Sequence, residues 1–158
     1  MNAEPDASSG ALYIDADACP VKDECYKVAA RHGLKVFVVA NSYINAPRHP
    51  SIERVVVGQG PDAADDWIAE RAGPGSIVVT QDIPLASRCV KAGAGVLAPN
   101  GKVFDAASIG MALAMRNLMD DLRSTGQITG GPKGFSPRDR SAFLDALERV
   151  LVRMKRGR

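Results

Sequence analysis

Two aspartates stand one residue apart at the end of an apolar run, in "YIDADACP" (Tyr13 to Pro20). Asp15 continues the run and is expected to lose most of its water. An ionised carboxylate in that position needs a cation or several hydrogen-bond donors. Asp17 has a blander reading beside its chemical one, as a cap on the helix that Pro20 is placed to open. A third acid, Asp82, follows another β-branched run in "IVVTQDIPLA". Asp62, Asp65 and Asp66 fall together in "GPDAADDWIAE". At a helix start, such acids are favoured by the dipole at about 0.3–1 kcal/mol each, a structural reason that competes with any chemical one. Clustered carboxylates without His or Cys ligands suit hard cations, Mg²⁺ or Mn²⁺. Two such ions activate water and stabilise the leaving oxygen of a phosphodiester. The candidate catalytic residues are therefore Asp15, Asp17 and Asp82. The candidate metal ligands are Asp15, Asp17, Asp65, Asp66 and Asp82.

These acids can act together only if the fold gathers them. "ALYID" (Ala11 to Asp15), "KVFVVA" (Lys35 to Ala40), "IERVVV" (Ile52 to Val57), "SIVVT" (Ser76 to Thr80) and "GVLAP" (Gly95 to Pro99) read as five strands. Helical segments separate most of them, which predicts βαβ units and a mainly parallel sheet. The second-to-third link, "NSYINAPRHPS", has no helical pattern. With the first strand between the second and fourth, the order is 3-2-1-4-5. Asp15, Asp17 and Asp82 then converge at the carboxyl ends of the strands, where the winding reverses and open sheets bind ligands. After Asn100-Gly101, "FDAASIGMALAMRNLMDDLR" predicts one long helix. "STGQITGGPKGFSPRDR" reads as a loop and "SAFLDALERVLVRMKR" as a final amphipathic helix.

The 158 residues predict one domain, residues 11–158, after a disordered extension, residues 1–10. Charge is nearly balanced at +2, so a polyanionic partner depends on how the cations are distributed. Three cysteines, Cys19, Cys25 and Cys89, read as reduced buried thiols. With no apolar leader at the start and no membrane-length run, a cytoplasmic protein is expected.

The blocks "YIDADACPVKDE", "VANSYI", "VVVGQGPDAADDWIAE", "IVVTQDIPLA", "GKVFD" and "GGPKGFSPRDRSAF" resemble those of the bacterial YaiI/YqxD family, over nearly the whole chain after Gly10. That family is of uncharacterised function and is grouped with PIN-like nuclease domains. The resemblance implies a PIN-like three-layer α/β domain with two extra C-terminal helices. It also implies a divalent-metal-dependent nuclease acting on nucleic acid, RNA first. Asp15 matches the acid ending the first strand, Asp82 the later acid after a strand ending in Thr, and Asp65 or Asp66 the acid on the intermediate helix.

Candidate substrate-binding residues are Lys22, at the first helix, and Asn41, Ser42 and Arg48, in a loop read as lying on the edge that carries the acids. Lys133 is a fifth, in a Gly-rich loop with Arg138 and Arg140 that reads as a lid or connector. Their alternative is ordinary solvated surface. His49 and Arg88 are similar, Trp67 reads as core, and His32 as a C-terminal cap. "IDADAC" also echoes the nucleophile motif of haloacid-dehalogenase-type phosphatases, with Asp15 as nucleophile and Asp17 as general acid. A non-catalytic RNA-binding module is the third reading. No membrane partner is expected, and a homodimer is left open.

Overall fold

The computed structural model describes residues 10–17, 19–58, 60, 62–127 and 135–156, the last two by backbone only. Residues 1–9 and Lys133 lie outside the described residues. The elements are β1 (Ala11–Asp15), α1 (Lys22–His32), β2 (Lys35–Ala40), β3 (Ile52–Val56), α2 (Ala63–Arg71), β4 (Ser76–Val79), α3 (Ile83–Lys91), β5 (Gly95–Leu97), β6 (Val103–Phe104), α4 (Ala106–Ser124) and α5 (Pro137–Arg156). The sheet order is β3-β2-β1-β4-β5-β6. All pairs are parallel except β5–β6. The expected order of the first five strands is therefore the observed one.

Strand side chains alternate between two cores. Leu12, Ile14, Val36, Val38, Ile77, Val79 and Leu97 face α1 and α5. Ala11, Tyr13, Phe37, Val39, Val78 and Val96 face α2, α3 and α4. Helices thus cover both faces, so the central strands read as continuous apolar runs without alternation. Tyr13 stacks on Phe37 with ring centroids 5.2 Å apart, and Trp67 meets both rings on the α2 side. Trp67 is half-buried and packs against that core rather than within it, and the Arg71 guanidinium covers its ring at 3.9 Å.

Three local differences from the expectation have clear causes. A sixth, antiparallel strand follows the Asn100-Gly101 turn; two residues carry too little pattern to be read as a strand. Gly101 holds φ +93°, and a Cβ there would lie 2.7 Å from the backbone carbon of Ala142 in α5. Only glycine lets this turn touch the last helix. Second, α5 begins at Pro137 rather than after Arg140. The Asp139 amide donates to Ser136 Oγ and the Ser136 amide to Asp139 Oδ2, a reciprocal cap with proline at the first helical position. Arg138 and Arg140 are therefore helical, and Arg140 reaches Glu24 at 2.7 Å. Third, α1 starts at Lys22 with no side-chain cap, so Asp17 does not cap it.

The Asn41–Ser51 link also corrects a placement. β3 runs parallel to β2, so the chain must travel back the length of β2, about 20 Å at 3.3 Å per residue, before β3 begins. The backbone amide of Val36, near the start of β2, donates to Ser51 O. The end of this link therefore sits at the amino end of the sheet. Arg48 and His49 line a cavity there with Lys35, Tyr43 and Arg54, away from the acids.

Candidate acid centre at the carboxyl end of the sheet

β1 has β2 on one side and β4 on the other, so the winding reverses between β1 and β4. The loops after those two strands meet at that point. Thr80, fully buried after β4, ties them together. Its hydroxyl donates to Asp15 Oδ2 at 2.7 Å and accepts from the Asp82 backbone amide at 2.9 Å. A hydroxyl can do both at once. Thr80 is the positioning residue that sequence reasoning passed over. The signal was available in "VVTQD", where a hydroxyl ends a strand two residues before an acid.

Asp82 has two duties. Its carboxylate accepts from the Leu85 amide at 2.9 Å and so caps α3, whose first turn also carries Pro84. A cap of this kind stabilises by about 1 kcal/mol. Its charge also raises the pKa of both Asp15 and Asp65. Asp17 is exposed and accepts from Asn41 Nδ2 at 3.4 Å. Asn41 in turn accepts from the Ala64 amide at 3.1 Å. One amide side chain therefore links the Asp17 loop to the first turn of α2.

Asp65 and Asp66, adjacent on α2, part company. Asp66 is held at 2.8 Å by Arg88 on α3, an exposed ion pair. That contact accounts for both residues structurally. Asp65 belongs to the cluster: burial raises its pKa most, followed by Asp82, Asp15 and Asp62, and its carboxyl reaches about 7. Asp15 is raised by burial, by Asp17 and by Asp82, against the lowering effect of the Thr80 hydrogen bond. The helix dipole favours Asp65 as an anion, so a value near 7 means that burial and crowding outweigh it. Among the described residues no salt bridge reaches Asp15, Asp17, Asp65 or Asp82. Nor do three His, Cys, Asp or Glu side chains form a closed ligand set there.

Lys22 and Ser42 both lie at the carboxyl edge of the sheet. Lys22 Nζ donates to Cys19 O at 2.9 Å at the mouth of the same loop. Ser42 is exposed just past β2. His32, rather than only ending α1, binds Glu148 of α5 at 3.0 Å. Cys19, Cys25 and Cys89 are all buried and unbridged.

The raised acids make stability depend on pH. Asp65 titrates near its ordinary 3.8 in the unfolded chain and about 7 in the fold. Below pH 4 both states hold the proton and the site costs nothing. Between pH 4 and 7 the unfolded chain ionises first, so stability falls as pH rises, and above 7 the loss is complete. Asp65→Asn should match wild type at pH 4 and melt at a higher temperature at pH 8. A variant that melts lower at pH 8 would mean that the charge at Asp65 is satisfied.

Residues 13–153 match the family described as "Uncharacterized BCR, YaiI/YqxD family". The UPF0178 protein of Rhodopseudomonas palustris strain BisB18 is 72% identical over 146 residues, 92% of this chain and 94% of that protein. The UPF0178 protein of Nitrobacter winogradskyi is 68% identical over 92% of this chain and 93% of its own length. That of Azorhizobium caulinodans is 67% identical over 99% of this chain and 98% of its own. These names assign no reaction. Asp15 and Asp17, the α2 acids, the Thr80–Asp82 turn and most of the C-terminal helix α5 fall inside the matched span, and the chain belongs to the YaiI/YqxD family.

Proposed function

We propose that the chain is a divalent-cation-dependent phosphodiesterase acting on nucleic acid, RNA first, on a PIN-like domain. The observation that carries this reading is the convergence of acids at the switch point, where Thr80 joins Asp15 to the Asp82 turn. Two carboxyls, Asp15 and Asp65, are raised by burial and by neighbouring acids at a switch point. An acid cluster without a salt-bridge partner among the described residues is a place that a metal cation stabilises. The all-oxygen donor set fits Mg²⁺ or Mn²⁺. Mg²⁺ commonly takes one or two carboxylates and completes its shell with waters and substrate phosphates.

Asp15, Asp65 and Asp82 are the residues that would hold the cation, with Asp17 at the exposed rim. The ion would neutralise phosphate charge and make a bound water more acidic. The chain's own contribution is orientation. Thr80 fixes the Asp15 carboxylate, the α3 cap fixes Asp82, and Asn41 tethers Asp17. In the metal-free protein Asp65 holds a proton up to about pH 7, which a cation must displace. The unbridged thiols fit a reducing cytoplasm.

The test is hydrolysis of labelled single-stranded and structured RNA with Mn²⁺ or EDTA, beside hydrolysis of a generic phosphomonoester. RNA cleavage with Mn²⁺ alone is the expected result. Turnover of the monoester alone, with beryllium fluoride trapped on Asp15, would replace this reading with aspartyl-phosphate chemistry. No turnover of either substrate, with RNA still bound, would make the chain a binding module.

A further inference from the structure

A groove of about 570 Å³ lies between the loops that follow β4 and β5 and the helix α4. It begins at Gln81, the residue between Thr80 and Asp82, and ends against α4 and the start of α5. Gln81 and Ile83 flank Asp82 in sequence, so the near end of the groove adjoins the acid centre at the ligand-binding end of the sheet. Its two linings differ in character. Lys102, Arg116 and Arg123 supply cations, while Met115, Met119 and Phe135 supply an apolar wall. Arg116 and Arg123 share a single carboxylate, Asp120, at 3.5 and 3.3 Å. One of those two positive charges is thus left unbalanced, and Lys102 adds another. Asp139 is the one acid lining the groove among the described residues, and its carboxylate is engaged with the Ser136 amide.

We propose that this groove is the subsite that holds the single-stranded RNA next to the phosphate presented to the acid centre. The inference rests on the phosphodiesterase reading of that centre. A polyanion crossing an acidic cleft needs cations beside it, and these are the ones the fold supplies on the same edge. An apolar wall beside those cations takes an unpaired base on its flat face while the adjoining phosphates meet the guanidinium groups. A duplex keeps its bases stacked and offers that wall nothing. The preference is therefore for unpaired strands, and it is set by the two C-terminal helices together with β6.

The test separates binding from cleavage. The full chain in EDTA is titrated into a fluorescein-labelled single-stranded RNA of about ten nucleotides, and into the same sequence as a duplex. Lys102→Ala and Arg116→Ala should each weaken single-strand binding about fivefold at 0.1 M salt and lower the salt slope by about 0.7. Met115 is 52% exposed, so Met115→Glu leaves the core intact. It should weaken binding about tenfold by removing a base contact and facing the strand with a like charge. Arg54→Glu, on the outer strand β3 at the edge of the sheet away from β5 and β6, should leave binding unchanged. Thermal melts of each variant confirm folding. Equal affinity for the duplex, no effect of the three groove variants, or a loss with Arg54→Glu alone would each overturn the subsite. If the groove variants lose binding but Mn²⁺ supports no cleavage, the hydrolytic reading fails and the subsite stands. If cleavage occurs and the groove variants bind and cut as wild type does, the subsite fails and the hydrolytic reading stands.

Discussion

Asp15→Asn is expected to lower Mn²⁺-dependent RNA cleavage by about three orders of magnitude while raising the melting temperature of the metal-free protein at pH 8. The first effect follows from the loss of an ionised ligand. Charge stabilisation of several kcal/mol disappears from the transition state, and each 1.36 kcal/mol is a factor of ten. The second follows from the cause of the raised pKa. Asp15 is penalised by burial and by two neighbouring carboxylates, and its compensation is the hydrogen bond from Thr80. An asparagine oxygen still accepts that bond and carries no charge, so the penalty goes and the bond stays. Opposite signs are the point of the experiment. A carboxylate kept for structure loses stability when neutralised, whereas one kept for chemistry gains it. Asp82→Asn separates less cleanly, because Asp82 also caps α3. A drop in melting temperature for Asp15→Asn, with cleavage within a few-fold of wild type, would remove Asp15 from the centre.

The convergence of Asp15 and Asp82 was legible because strand periodicity and strand order are sequence properties. A β-branched run ending in an acid places that acid at a carboxyl edge, and the reversal of winding decides which edges adjoin. Choosing between Asp65 and Asp66 was not legible in the same way. Both lie in the first turn of α2, and the choice depends on Arg88, a residue on α3 that meets Asp66 across the helix pair. The role of Asn41 was half visible. Its position beside the acids was expected, but as a substrate contact; it is engaged with Asp17 and the Ala64 amide. Arg48 was misplaced because a loop without helical pattern gives no indication of how far back along the sheet it runs. The strand β6 and the early start of α5 depended on a two-residue pairing and on a reciprocal cap. The latter was written in "SPRD", with Ser136 at the cap and Asp139 at its third helical position.

Phe143→Ala is expected to cost about 3–5 kcal/mol, which for a chain of this size lowers the melting temperature by roughly 6–20 °C. Phe143 is among the largest fully buried side chains in the protein, and it lies on α5. The helix α1 covers one part of its sheet face. Ala146, Leu147, Val150 and Leu151 of α5 join the core on that face, with Ile77, Val79 and Leu97 of β4 and β5. A Cβ on Gly95 of β5 would stand 3.0 Å from Val150, so helix and strand are in close contact. The ion pairs along this helix contribute less. Arg31 is largely exposed where it meets Glu148, and surface pairs of that kind are worth about 0–1 kcal/mol. Glu148→Gln should therefore shift the urea midpoint far less than Phe143→Ala does. The comparison decides what the C-terminal helix is for. If burial dominates, α5 is part of the sheet's covering layer. Its first turn, with Phe135 just before it and Asp139 within it, is then held rigidly beside the groove that Gln81 also lines. A cost below 1 kcal/mol for Phe143→Ala would mean that α5 rests on the sheet without completing it.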